Sequence, residues 1–314
     1  MEETNCNLCG HNDTELVYVE RDRLMKLPGS FRLVRCRHCG LLYLNPRPTV
    51  EEMTCYYPQE YLPYTVAQQG EQSWIAYLDH CYGHWKRVRA LEGRHPQGGR
   101  LLDVGCATGD FLHVMDRSGH WKVCGVDTSP EATRYARERY RLDVFTGEVS
   151  DAGYADGYFD VVTMWHVIEH VHDPKGTLAE LHRIMKPGGL LVISTPNLWS
   201  WDARGFGRYW VGLDAPRHLY VFSPATLEHL LQQVGFQMER IRSFSLFYRP
   251  FARSMQFWLD ERLENEQLKR ALFTIIHSRM LRLLTLPYFT VLGRFNKTSG
   301  MTAFVTRQDA HAGE

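Results

Sequence analysis

Residues 101–112, LLDVGCATGDFL, constrain this chain more than any other stretch. An apolar run ends in an acid, Asp103, and Gly105-Cys106-Ala107-Thr108-Gly109 then turns at once into an amphipathic pattern. Glycines in such a turn let the backbone approach a ligand and present N–H groups at a helix N-terminus. By itself this is only a strand-to-helix turn, but the same rhythm continues. Short apolar runs predict strands at 100–104, 121–127, 143–146, 159–165 and 190–195. Amphipathic segments predict helices at 110–118, 130–140 and 174–185. Alternation of this kind builds a parallel sheet with helices on both faces. The helix starts are chemically marked: Asp127-Thr128-Ser129-Pro130 and Asp173-Pro174 offer side-chain caps followed by proline in the first turn. Lys186-Pro187-Gly188-Gly189 reads as a helix stop and tight turn into the next strand.

The second strand ends in Gly-Val-Asp, which sets Asp127 roughly 20 residues past the glycine loop, where an acid can accept a ribose diol. A dinucleotide fingerprint would need a third glycine at the position of Asp110, which argues against a nicotinamide cofactor. The runs DVGCATG, GVDTSPEATRYAR, FDVVTMWHVIEHVHDP and ELHRIMKPGGLLVISTPN, in this order, resemble the successive motifs of class I S-adenosylmethionine-dependent methyltransferases. The likeness extends over about residues 100–245.

It implies a Rossmann-like α/β fold with a seven-stranded sheet, helices on both faces, and a last strand at 300–307 inserted antiparallel beside the fifth. It also implies that Asp103, Gly105, Cys106 and Gly109 hold the methionine part of S-adenosylmethionine. Asp127, with Thr128 beside it, would take the ribose, Glu148 and Val149 would flank the adenine, and Trp165-His166 would border the methyl group. Ala107 departs from the glycine that many members carry there.

Methyl transfer from a sulfonium is an in-line displacement that depends above all on positioning, and carbon or hydroxyl acceptors also need a base. Candidate bases are His166, His170 and His218. His166, Glu169 and His170 spell H-x-x-E-H, but their place directly after a parallel strand argues against an inverted zinc-protease motif. Some related methyltransferases bind a divalent ion through E-x-x-E-H at this point. Imidazole in place of the first acid weakens that reading for a hard ion. Otherwise Glu169 and His170 brace the loop, and His166 packs against the cofactor. His218 lies between the Trp-rich loop and a helix predicted at 223–234, either as base or acceptor-orienting residue or as a local bond to the loop backbone.

Cys6-x-x-Cys9 and Cys36-x-x-Cys39, each followed by glycine, have the spacing of two zinc knuckles that together supply four thiolates to a closed structural site. The following LLYLNPRP resembles segments after N-terminal zinc ribbons in bacterial methyltransferases of cell-surface glycan and sugar pathways. The other four of the eight cysteines lack ligand spacing. A formal net charge of +0 argues against a nucleic-acid partner and leaves a small-molecule acceptor as the expectation. An RNA methyltransferase or a silent cofactor-binding regulator are the alternatives.

The chain parses into a zinc ribbon (1–45), a helical linker or lid (46–98), a methyltransferase core (99–249), a helical basic insertion (250–298) and a final core strand (299–307), with a further strand expected at 236–244. Between Lys269 and Arg307 there are seven lysines and arginines and no acid, interleaved with apolar residues. Such a segment either lies on an anionic membrane surface or packs its apolar face on the protein. The N-terminus lacks a basic and apolar leader, and no long uncharged apolar run is present. The expectation is therefore cytoplasmic, with the option of peripheral contact at the inner face of the membrane.

Overall fold

The computed structural model describes residues 1–57, 74–243 and 248–308, and of residues 74–80 the backbone alone. Residues 58–73 of the segment expected to form a helical linker or lid (46–98), and Phe244 at the end of the strand expected at 236–244, lie outside the described residues. The chain divides into two units: Met1–Tyr56 with Thr195–Leu227 and Ile241–Thr302, and Tyr57–Ser194 with Glu228–Arg240 and Ala303–Glu314.

In the first unit, β1 (Thr14–Glu20) and β2 (Phe31–Cys36) form an antiparallel pair that carries a bulge between Leu16 and Tyr18. β3 (Leu42–Leu44) adds to β2, and β9 (Tyr220–Val221) adds to β3, giving the order β1-β2-β3-β9. Leu33, Leu42 and Leu44 are fully buried on this sheet. A short helix α1 (Val50–Met53) follows, held by a capping box between Thr49 and Glu52. The Trp-rich stretch contains α6 (Trp201–Phe206) and two 3-10 turns, Gly207–Tyr209 and Val211–Leu213.

The 250–298 segment is helical as expected, in three pieces: α8 (Tyr248–Arg262), α9 (Glu266–Ile276) and α10 (Arg279–Arg294). Asn265 and Ser278 cap the second and third, which explains why the segment breaks there. Tyr248, Ala252, Leu259, Ile276 and Phe289 form a core among these helices. Arg217 is fully buried and makes bidentate bonds to Asp22 (2.7 and 2.9 Å) and to Asp214 (2.7 and 3.0 Å). Burial alone would raise Asp22, but the Arg217 guanidinium outweighs it and holds the carboxyl below its usual range.

The second unit begins with α2 (Trp74–Glu92) and continues as the expected alternation: β4 (Gly99–Val104), α3 (Asp110–Arg117), β5 (Trp121–Asp127), α4 (Pro130–Tyr140), β6 (Asp143–Thr146), β7 (Phe159–Trp165), α5 (Pro174–Ile184) and β8 (Met185–Pro196). α7 (Pro224–Gln233), β10 (Phe236–Arg242) and β11 (Gly300–Arg307) complete the sheet, whose order is β10-β11-β8-β7-β4-β5-β6. It is the seven-stranded mixed sheet implied by the resemblance, with β11 between β10 and β8. The β6-β5-β4-β7-β8 portion is parallel throughout. Its centre is apolar on both faces, with Leu101, Leu102, Val161, Val162 and Met164 fully buried, as a sheet covered on both sides requires.

Most boundaries fall within one or two residues of the sequence reading, but β8 starts at Met185 rather than 190. Met185 already has extended backbone and pairs with Phe159, and the Gly188-Gly189 turn becomes an irregularity within the strand. From β4 the chain adds β5 and β6 on one side, then β7 and β8 on the other. The reversal opens a crevice at the carboxyl ends of β4, β5 and β7, where ligands of open α/β sheets bind.

Candidate active site

The crevice is built by three strand ends. At the first, Asp103 is 3% exposed and accepts the Thr163 hydroxyl at 2.5 Å. Burial, helped by the charge of Asp127, pushes its carboxyl up to about 7, against the pull of Thr163 and of Arg87. The loop that follows is tied to β5. Gly105 and Cys106 both donate their N–H to the Val126 carbonyl (2.7 and 3.1 Å), and Ala107 donates to Asp127 Oδ2 at 2.8 Å. Gly105 has a φ of +71°, and a Cβ built on it would lie 2.4 Å from Val167. This position therefore requires glycine on two counts. Ala107 also has positive φ (+48°), so the departure noted in the sequence places an alanine where glycine is less strained. Cys106 is buried beneath the loop, and burial raises its thiol far above the ordinary value, which keeps it a neutral packing group.

At the second strand end, the Asp127 carboxylate accepts the Ala107 N–H through one oxygen and the Ser129 N–H, at 2.9 Å, through the other. Each carboxylate oxygen can accept more than one bond, so both keep capacity for a diol. Burial raises Asp127, and these two N–H bonds oppose the rise. Thr128, next to it, is exposed. Beyond β6, Glu148 is exposed and Val149 buried at the start of a 3-10 turn.

The third strand end carries His166, at a positive φ of +60°. Its side chain is about half exposed; Nδ1 lies 3.1 Å from Glu169 Oε1 and Nε2 lies 3.5 Å from the Ser194 hydroxyl. Glu169 is fully buried, so this carboxylate orients the imidazole. His170 Nδ1 lies 2.9 Å from the Tyr57 hydroxyl. Of the three candidate bases, His166 and His170 thus stand together in the second unit. His218 belongs to the first, where its Nδ1 donates to the Gly212 carbonyl at 2.9 Å.

Arg87, on α2, carries no signal in the sequence that marks it for this site. Its guanidinium lies 4.4 Å from the ring centre of Trp165 and 6.0 Å from that of Phe111, and it interacts with Asp103. Burial lowers it to about 10, so it remains a cation at neutral pH. A lone arginine in a helical segment carries no mark of its role in the sequence. A pattern of helix faces would have shown only an amphipathic position.

In the first unit the sulfurs of Cys6, Cys9, Cys36 and Cys39 lie within 4.8 Å of one another, with Cys6–Cys39 and Cys9–Cys36 each at 3.4 Å. The two knuckles match: Gly10 donates to the Cys6 carbonyl and Gly40 to the Cys36 carbonyl, at φ of +78° and +77°. Tetrahedral zinc with Zn–S bonds of about 2.3 Å sets its sulfurs about 3.8 Å apart, so this set fits such an ion. Burial raises the Cys6 thiol to about 11. At Cys36 burial is outweighed by the N–H groups of Cys39 and His38, which favour the thiolate. The same unit holds a cleft of about 520 Å³. Of the side chains lining it, Arg21 and Arg23 pair with Glu261 and Lys269 pairs with Glu266, which makes it a salt-bridged surface rather than a set of groups converging on a ligand.

A parallel sheet that reverses at β4, with a glycine loop after its first strand and a buried acid ending its second, defines an α/β domain of the nucleoside-cofactor-binding class. Residues 77–241 match the family model described as a methyltransferase domain, and the chain belongs to that family: it is an S-adenosylmethionine-dependent methyltransferase. It is 32% identical to a ubiquinone biosynthesis O-methyltransferase of Xanthomonas axonopodis over 50% of this chain and 69% of that one. It is 30% identical to a malonyl-[acyl-carrier protein] O-methyltransferase of Serratia marcescens over 45% of this chain, but spans only 54% of that relative. Among solved structures, an SAM-dependent methyltransferase of Thermotoga maritima shares the fold, with a TM-score of 0.50 and 19% identity over 78% of this chain and 97% of that one.

Proposed function

We propose that this chain moves the methyl group of S-adenosylmethionine to an oxygen or carbon of a small molecule, a sugar nucleotide, glycan or lipid-linked precursor. The observation that carries the cofactor assignment is the latch between Asp127 and the glycine loop. It aligns a diol-accepting carboxylate with backbone that only glycine permits at Gly105. In this reading Asp103 and Arg87 present opposite charges to the amino and carboxylate ends of the methionine moiety, Cys106 and Gly109 shape the loop, Thr128 and Asp127 face the ribose, and Glu148 and Val149 face the adenine. The O-methyltransferase names of the relatives support a small acceptor. The LLYLNPRP segment after the cysteine pairs supports one of the sugar or glycan class.

The base in this reading is His218. The Nδ1 bond to the Gly212 carbonyl fixes the ring's orientation, and Nε2 is the nitrogen that a general base would use. His166 and His170 orient the site through Glu169 and Tyr57. Turnover of His218→Ala tests this. A base contributes about 10²–10⁴ in rate, so kcat should fall by that order while cofactor affinity is unchanged. Near-native kcat at saturating acceptor would remove His218 from the mechanism. For the acceptor, the protein is incubated with methyl-labelled cofactor and fractionated cell extract, and the labelled product is identified.

The four thiols hold a structural zinc in this reading. With all four positions taken by cysteine there is no open coordination site, so the ion would stabilise the first unit and take no part in methyl transfer.

A further inference from the structure

α10 has two apolar faces and one core to bury them in. Phe289 and Leu292 are buried, and Leu281 packs against the core formed with α8 and α9. On another face Met280, Leu284, Tyr288, Val291 and Phe295 follow one another at helical spacing, within an arc of roughly 80° and over about 22 Å. Met280, Leu284 and Phe295 are 71, 70 and 69% exposed. A water-facing helix ordinarily carries its charges there, and a contiguous apolar strip of this size marks an interaction surface.

The surroundings state what kind of partner fits. Arg279 and Arg294 stand at the two ends of the helix, Arg270 on α9 is exposed, and no acid occurs from Gln267 to Arg307. Beyond the C-terminal end of the strip, the Lys297 amine lies 5.5 Å from the ring centre of Trp199, and the Trp201 backbone N–H donates to the Lys297 carbonyl. Both indoles are about half exposed or more. Apolar side chains, flanking cations and half-exposed indoles together are the composition of a helix lying in a membrane interface. A second copy fits poorly, because a two-fold contact through this face would set cation against cation. Among the described residues no helix is long and apolar enough to cross a membrane.

We propose that the exposed face of α10, with Trp199, Trp201 and Lys297, docks the protein on an anionic membrane surface. This stands whether or not the acceptor is lipid-linked.

The test is flotation of the full chain with vesicles of phosphatidylcholine, with and without phosphatidylglycerol, at low and high salt. The protein should float with the anionic vesicles, and salt should release it. Replacing Arg279 and Arg294 by alanine should weaken partition about fivefold for each arginine removed. Leu284→Glu with Phe295→Glu should abolish it, with thermal unfolding unchanged because both side chains are already in water. Quenching of the wild-type indole fluorescence by brominated lipid gives a readout that needs no substitution. Equal partition to neutral and anionic vesicles, or the absence of quenching, would overturn the proposal. So would a dimer in solution that Leu284→Glu converts to monomer, since the strip would then serve a second copy.

Discussion

Asp127 Oδ2 accepts the N–H of Ala107 at 2.8 Å, so the acid that ends the second strand of the sheet also latches the loop that follows the first. One carboxylate therefore orders the glycine turn and offers itself to a ribose.

Asp127→Ala should accordingly lose more than one interaction. Hydrogen bonds to a charged group are worth about 1.5–3 kcal/mol each. With the ribose contacts and the latch both gone, affinity for S-adenosylhomocysteine should fall on the order of 100-fold or more by calorimetry. Thermal unfolding separates this from loss of fold.

Asp103 gives a pH dependence with a definite sign. Its carboxyl is raised to about 7, chiefly by burial. In the cofactor-free protein the raised group contributes stability that is fully present below the ordinary carboxylate range, near 4. That contribution is lost as pH rises through about 7. Cofactor binding runs the other way, because a cationic ligand group is matched by the ionised acid. Affinity should therefore tighten between about pH 6 and about pH 7.5, and Asp103→Asn should flatten both profiles.

Gly105→Ala should fail for a local reason. The new methyl would sit 2.4 Å from Val167 Cγ2, on backbone at a φ of +71°. The left-handed conformation alone costs roughly 1–2 kcal/mol. Cofactor affinity and melting temperature should both drop, and Val167→Ala on top of it should restore part of the loss. If the single substitution binds like wild type, the loop is more plastic than its contacts indicate.

For the cysteine cluster, metal analysis of protein grown without added chelator should find one zinc per chain. Stripping the ion, or Cys36→Ser, should lower the unfolding temperature of the first unit while S-adenosylhomocysteine binding to the folded second unit persists. A metal-free preparation that unfolds as the metal-loaded one does would refute the structural role.

Arg217→Ala would leave Asp22 and Asp214 facing each other without the cation that bridges them. Removing one partner of a buried pair costs about 3–5 kcal/mol. The melting temperature of the purified variant should fall accordingly. An unchanged melt would mean that water replaces the guanidinium at little cost.

The second unit was largely readable from the chain. β5, β6, β7, α4 and β11 fall where apolar runs and cap residues put them, because Asp-Thr-Ser-Pro and Asp-Pro starts and continuous apolar strands are local signals. The clustering of the four cysteines was equally plain, since the spacing of two C-x-x-C pairs is a local signal. What the sequence leaves unmarked is made by distant residues. Arg87 gains its meaning only when α2 brings it over Trp165, and Arg217 is buried only because Asp22 and Asp214 meet it. β9 is two residues long and exists because β3 is there to pair with it. The apolar residues of α10 were visible as a pattern, but their sequence does not say which face the neighbouring helices cover.

That two-residue pairing has a bearing on how the protein is made. Tyr43 finds its neighbour in Tyr220, so on the ribosome the outer edge of the cysteine-bearing sheet stays bare until most of the chain has been synthesised. A bare strand edge invites pairing with other chains. An excised N-terminal fragment would keep its thiols but lack the strand that covers that edge, and it should be handled as sticky from the start.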